Sequence, residues 1–236
     1  MGKSLPTVHI LKLSIIIPVL NEAGHIASAL LALQPLRERG AAIMVVDGGS
    51  TDGTAEIAAP NCDRVIAAAR GRASQQNAGA QHALGDVFLF LHGDTQLPPD
   101  ADRLIAAALR DEAVLWGRFD ICFDTDQTLL RIVATMMNAR SRLTGIATGD
   151  QCIFVRRSAF EAVGGFPAIA LMEDIALSAL LRRQSAPACL HNKATTSTRR
   201  WRKNGVWRTI FLMWWLRLAY ALGVPPARLA RWYGSL

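Results

Sequence analysis

The 236-residue sequence predicts an α/β domain built on a mainly parallel sheet. Two observations carry this expectation. Apolar runs alternate with segments of helical period through the first half, as βαβ units require. The composition, 51% apolar and 19% charged, is that of an ordered globule, and no low-complexity tract or repeat breaks it. The length allows one domain with a sizeable core, or two small ones.

Residues 13–18 read as the first strand. Residues 21–33 carry Ile26, Leu30 and Leu33 at helical spacing, and AIMVVD at 42–47 is a second strand ending on a carboxylate. A weak strand near Val65 follows, then an alanine-rich helix over 72–84, a strand over 87–91 and a helix over 100–109. Further on, 115–123 alternates like a strand, 129–143 has helical period, and 152–155 reads as a short strand. Ser158 and Glu161 have the S-x-x-E spacing of a capping box, which predicts a helix start there, stopped by Gly164 and Gly165. The next helix opens on Glu173. The stretch 206–224 is strongly apolar, but Arg208 and Arg217 leave an uncharged run well short of the roughly 20 residues a bilayer span needs. An amphipathic helix packed on the domain is expected there, with interfacial membrane contact or a dimer face as alternatives.

Cys62, Cys122, Cys152 and Cys189 are widely spaced and form no C-x-x-C pair, so neither a zinc knuckle nor a disulfide framework is indicated, and a reducing cytoplasm fits best. The first 13 residues lack an apolar h-region and a cleavage site, and no secretion signal is read. The net charge of +7 is unevenly placed: no Asp or Glu follows Asp174, while 11 Lys and Arg do. Such a tail suits nucleic acid, anionic lipid or a diphosphate substrate, and its sign alone does not choose.

In an open parallel sheet, ligands bind beyond the carboxyl ends of the strands. Asp47 ends one strand and Asp94 lies just past another, where carboxylate oxygens could meet a hard cation on a nucleotide diphosphate, or where Asp94 and Thr95 simply shape a turn. The loop GGSTDGT, 48–54, could bring backbone amides to a nucleotide or cap a helix through Ser50 or Asp52. It matches neither G-x-G-x-x-G nor the G-x-x-x-x-G-K-[ST] loop, which weakens dinucleotide and ATP-hydrolysing readings. Glu173 and Asp174 begin a helix, where the dipole favours negative charge whether or not they are catalytic.

Six segments in order, SIIIPVLNE (14–22), VVDGGSTDGT (45–54), RGRASQQNAGA (70–80), FLHGDT (90–95), GGF (164–166) and MEDIALS (172–178), resemble the family-2 glycosyltransferases. The nearest subgroup is the short bacterial set assigned to arsenosugar biosynthesis. The resemblance implies one GT-A domain over 1–236: a mixed, mostly parallel sheet flanked by helices, with a nucleotide-binding half (13–110), an acceptor-binding half (111–205) and a helical C-terminal segment (206–236). It implies an inverting transferase that moves a sugar from a nucleoside-diphosphate donor, a UDP-sugar foremost, to an acceptor hydroxyl with Mn2+ or Mg2+.

Carried over by position, Pro18, Asn21, Glu22, Asp47, Arg72 and Asn77 fall on donor-binding positions, Asp94 on the metal-binding acid of D-x-D, and Asp174 on the general base, with Glu173 beside it. TTSTRRWRKNG resembles the family's R-W element, so Arg199, Arg200 and Trp201 would face the leaving diphosphate, unless the segment is a solvated basic turn. Two positions depart from the pattern. Gly48 stands where a second acid is common, and His92 replaces the first acid of D-x-D. His92 then reads as a polar strand-end residue, and the metal would rest on Asp94, diphosphate and water, with help from His191. The rival readings are a nucleotide-sugar-binding protein without turnover and a basic-tail adaptor for membrane or nucleic acid. The transferase reading expects no nucleic-acid partner, a cytoplasmic or membrane-peripheral location, and membrane contact or a homodimer through 206–224.

Overall fold

The computed structural model describes residues 11–234, apart from the side chain of Arg200. The segment read for a secretion signal therefore falls mostly outside the described residues. In chain order the first half comprises β1 (Leu13–Val19), α1 (Ile26–Ala32), α2 (Gln34–Glu38), β2 (Ala42–Asp47), α3 (Thr54–Ala58), β3 (Arg64–Ala67), α4 (Arg72–His82), β4 (Val87–Phe90), β5 (Thr95–Gln96) and α5 (Ala101–Ala108). The second comprises β6 (Trp116–Phe123), α6 (Thr128–Thr144), β7 (Phe154–Arg156), α7 (Arg157–Ala162), α8 (Glu173–Arg182), β8 (Ala188–Thr196), α9 (Arg199–Asn204), α10 (Val206–Ala221) and α11 (Pro226–Gly234).

One sheet in the order β3-β2-β1-β4-β7-β6-β8-β5 runs through both halves. β3, β2, β1 and β4 are parallel; β7 opposes β4 and β6, β8 runs parallel to β6, and β5 opposes β8. The strands at the centre are covered twice. Ile15 and Ile17 pack with Ile43, Leu30 and Ile105 on one face, and Ile16 packs with Val46, Phe88 and Phe160 on the other. A strand buried on both faces has no solvent side to make polar, hence the unbroken apolar runs. α4 lies close on this sheet at Gly79: a Cβ there would stand 2.9 Å from Val46 Cγ2 and closer still to Ile16. Only glycine lets the helix backbone approach so near.

Besides the short α2, β5 and α9, which the sequence does not announce, four elements differ from expectation. α1 starts at Ile26 rather than near residue 21, because Asn21 is left-handed (φ 53°) and the following turn is held to the loop after β2. The Ser158/Glu161 capping box does not form: α7 begins at Arg157, whose amide donates to Asp86 O at 2.8 Å, and Ser158 is already inside the helix and exposed. β8 goes unread because the exposed HNK run at 191–193 interrupts its apolar pattern and a register shift opposite Phe119 and Asp120 changes its phase. α10 is not amphipathic. It buries Thr209, Leu216 and Ala219, while Trp207, Phe211, Trp214, Trp215, Leu218 and Leu222 remain more than half exposed. Among the described residues no helix is long and apolar enough to cross a membrane.

Behind the sheet's second half lies a buried ionic network. Asp120 accepts from Arg118, which is fully buried, and from Arg142 Nη2 at 2.6 Å, while Asn138 closes a two-way hydrogen bond with the Ile121 backbone. These contacts fix α6 on β6, which sets the wall of the cavity described next.

Candidate active site

β1 and β2 end side by side, Val19 opposite Asp47, and their loops are tied together by short polar side chains. The Asn21 amide donates to Ser50 Oγ at 2.9 Å, Thr51 N to Asn21 Oδ1 at 2.9 Å, and Glu22 N to Thr54 Oγ1 at 2.9 Å. Asp47 is buried and turned back on its own loop, where it accepts from Gly49 N, Ser50 N and Ser50 Oγ. Val19 O at the end of β1 and Val46 O, one residue before the end of β2, accept from the buried Gln75 Nε2 at 2.8 Å. The outcome is a rigid ledge at the carboxyl edge of the sheet, with Pro18, half-buried, at its base.

β4 delivers His92 and Asp94 to the same edge, into a cavity of about 520 Å³ whose polar end is lined by Arg72, His92, Asp94 and Asp150. His92 is buried and its Nδ1 lies 3.2 Å from Asp150 Oδ1. Asp94 is exposed, its carboxylate touched by a long 3.5 Å bond from Thr95 Oγ1, and its carbonyl accepts from Ser197 N at 3.1 Å, which ties the loop to the end of β8. Asp150 sits in the turn Gly149–Gln151, and the Gly149 amide donates to Asp174 Oδ2 at 2.7 Å. The other oxygen of Asp174 accepts from Ile175 N at 2.7 Å, at the start of α8. Asp174 therefore stands in the wall directly behind the cavity lining. Next to it, Glu173 is pushed up from the ordinary carboxyl range by burial and by the Asp174 charge, against the pull of Arg72 and His92.

No three His, Cys, Asp or Glu side chains gather into a metal-ligand set among the described residues. The exposed Asp94 carboxylate nevertheless suits a hard divalent cation that takes its other ligands from diphosphate and water, the usual arrangement for Mg2+ at phosphate sites.

The model of the family described as Glycosyl transferase family 2 matches residues 14–164. This chain belongs to glycosyl transferase family 2. The succinoglycan biosynthesis protein ExoA of Rhizobium meliloti (strain 1021) is 32% identical over 176 residues, which is 64% of this chain and 52% of that protein, so the chain spans about half the length of its curated relative. Solved structures share the GT-A fold. The mannosyltransferase PcManGT of Pyrobaculum calidifontis, in complex with GDP-Man and Mn2+, superposes with TM-score 0.64 at 21% identity over 90% of this chain and 62% of that one. TarS 1-349 of S. aureus with UDP-GlcNAc gives 0.65 at 18% over 79% and 58%. Glucosyl-3-phosphoglycerate synthase of Mycobacterium tuberculosis, with Mn2+, UDP and glucosyl-3-phosphoglycerate, gives 0.59 at 19% over 81% and 77%.

The remaining candidate residues of this family 2 chain divide between the edge and other duties. Arg199 opens α9 and reaches across to Glu22, its Nη2 3.1 Å from both carboxylate oxygens. Arg200 begins the same helix turn, and its side chain lies outside the described residues. Trp201 packs edge-on against Phe123 with ring centroids 5.3 Å apart and lines the cavity's apolar wall rather than its polar end. Asn77 is tied on both sides to the Phe166 backbone, at 2.8 and 2.9 Å, and holds the GGF loop. His191 lies 3.9 Å from Asp120, five residues up β8 from Thr196, some 16 Å from the cavity end of that strand. Its help to a metal on Asp94 is therefore corrected: the extended strand holds the two apart.

Sequence reasoning missed Asp150, Gln75, Arg140 and Arg217. Arg140 and Arg217 project from α6 and α10 into the cavity. Burial, with the neighbouring Arg217 charge, pushes Arg140 down to about 10 against the opposing pull of Asp174. Burial also lowers Arg217, opposed by Asp174 and Asp150. For Arg217 a signal was present, a cation inside an otherwise apolar helical segment, a position that calls for an anionic partner, whereas Arg140 sits in the polar run NARSR and carried none.

Proposed function

We propose that the chain transfers a glycosyl group from a nucleoside-diphosphate sugar, a UDP-sugar foremost, to an acceptor hydroxyl with inversion at the anomeric carbon. One observation carries this reading: Asp94 lines the cavity whose wall is backed by Asp174, so a metal-diphosphate group and a proton acceptor can face one sugar from two sides. The acceptor oxygen attacks the anomeric carbon, the bond to the diphosphate oxygen breaks with its electron pair, and the hydroxyl proton passes to Asp174. Each Asp174 oxygen accepts one amide, and a carboxylate oxygen has a second lone pair for that proton. Glu173, held toward its neutral form, completes the acidic pair.

Asp94 would hold a divalent cation, Mn2+ or Mg2+, which would neutralise charge on the departing diphosphate. The nucleotides and metals bound by the solved relatives support both donor class and cation. Asn21, Glu22, Asp47 and Arg72 frame the donor ledge, with Arg199 on its far rim. The narrower reading, a step in arsenosugar biosynthesis, rests on the ordered motifs. Four cysteines without disulfides support a cytoplasmic setting, and the exposed aromatic face of α10 supports peripheral membrane contact.

Asp174→Asn should cut transfer by about 10²–10⁴-fold while UDP affinity holds; unchanged turnover removes Asp174 from the mechanism. Calorimetry of UDP with and without Mn2+ tests the cation. Asp94→Ala should erase the Mn2+ dependence, and equal affinity in the parent protein under both conditions removes the metal assignment.

A further inference from the structure

The cavity changes character away from Asp94. Between α6 and α10 its walls are Leu129, Ile132, Met136, Ile210, Met213 and Trp214, an apolar cleft continuous with the polar end. At the junction stands the Arg140 guanidinium. Its Nη1 donates to Ile146 O at 3.3 Å, but its Nε and Nη2 are buried without any hydrogen-bond partner. Those two donors form one edge of the guanidinium, the edge that grips two oxygens of an oxyanion side by side once the side chain turns it toward the cavity. Arg217 adds a second cation to the same cavity; burial lowers both groups, and the Arg217 charge lowers Arg140 further. Two buried like charges with an orphaned donor edge are unfavourable alone and are relieved by an anion between them. Both line the cavity that Asp174 backs, so the anion site and the proposed proton acceptor share it.

We propose that the acceptor is a single-chain lipid joined through a phosphate to the unit that bears the reacting hydroxyl, with the chain in the α6–α10 cleft and the phosphate on Arg140 and Arg217. A wholly water-soluble acceptor leaves the cleft wet and apolar. A neutral lipid leaves the Arg140 edge unsatisfied. An acceptor with both parts satisfies both, and the outward-facing aromatics of α10 lie where such a chain would leave a bilayer. This inference rests on the glycosyl-transfer reading for the acceptor's role, but the recognition it predicts can be measured separately.

The test uses the full chain and dodecyl phosphate below its micelle concentration, with octyl phosphate, dodecanol and inorganic phosphate as comparison probes. Trp201, Trp207 and Trp214 line the cavity, so occupancy reads out as a saturable change in tryptophan emission. Dodecyl phosphate should bind on the order of 100-fold tighter than octyl phosphate, about fourfold per buried methylene. Inorganic phosphate should leave the emission unchanged. Arg140→Met should weaken dodecyl phosphate at least about tenfold and leave dodecanol unaffected, and Ile132→Asp, at a half-exposed position that folding tolerates, should weaken both. UDP binding in the same samples reports intact folding and the donor site. Dodecyl phosphate binding no tighter than dodecanol, or equally tight to the Arg140→Met protein, overturns the proposal. UDP binding without lipid-phosphate binding overturns it alone, whereas lipid-phosphate binding without UDP binding overturns the transferase reading and leaves the cleft assignment standing.

Discussion

Gly149 joins Asp150 to Asp174, and its replacement by alanine tests whether that junction is as tight as it looks. A Cβ at this position would stand 2.5 Å from His92 Cε1 and closer still to Nε2, against the 3.4 Å of ordinary contact, so something must move by about 1 Å. The imidazole is buried and held by Asp150, and the Gly149 amide is held by Asp174 at 2.7 Å, so neither side can yield without disturbing an acid of the cavity. Overpacking of this kind costs about 1–3 kcal/mol, or roughly 2–10 °C in Tm for a chain of this size. A shift near 1 Å in the catalytic wall costs about 100-fold in transfer rate. Gly93→Ala is the control, since its Cβ would meet only Val19 Cγ1 at 3.8 Å. Urea melts and single-turnover transfer should show a large effect at residue 149 and a small one at residue 93. Combining Gly149→Ala with His92→Ala should recover part of the stability loss, because the obstructing ring is gone. Parent-like stability and rate in Gly149→Ala, or no recovery in the double variant, refutes the tight junction.

Two further outcomes concern the frame around the site. Asp120→Ala strands Arg118 as a fully buried cation and should cost about 3–5 kcal/mol in urea unfolding; a loss below about 1 kcal/mol shows the network to be dispensable. Glu173 holds its proton more firmly folded than unfolded, so its contribution to stability is complete below the ordinary glutamate value, about 4.3, and disappears as pH rises through the higher folded value. Glu173→Gln cannot ionise. Its melting temperature should fall less than the parent's on raising pH from about 4 to 8, and superimposable profiles would remove the burial argument.

The central sheet was legible because β1, β2 and β4 are covered on both faces, and continuous burial leaves a continuous apolar trace. β8 was illegible for the opposite reason: three consecutive residues, 191–193, are exposed and its register slips opposite Asp120, so no period survives along its length. The acids showed through partly. Asp94 follows an apolar run and Asp174 opens a helix, both local signals. Asp150 has none, since its importance comes from a turn that meets His92, 58 positions earlier in the chain. Asp47 ends its strand as a carboxylate that could meet a nucleotide or its cation, but the sequence does not show that its own loop supplies amides that turn the carboxylate back on itself. Arg217 was noticed only as an interruption in an apolar stretch, because nothing in the segment itself reveals the cavity beneath it.

The eight-stranded sheet has a consequence for how ligands come and go. With β4 hydrogen-bonded to β7, β7 to β6 and β6 to β8, the ladder runs unbroken through both halves, which opposes a domain-style closing motion. Beyond the end of β8, α9 is fastened to the first loop by Glu22 and Arg199, a partly exposed clasp. Such a clasp slackens in concentrated electrolyte, so added salt should alter the traffic of substrates long before it touches the fold.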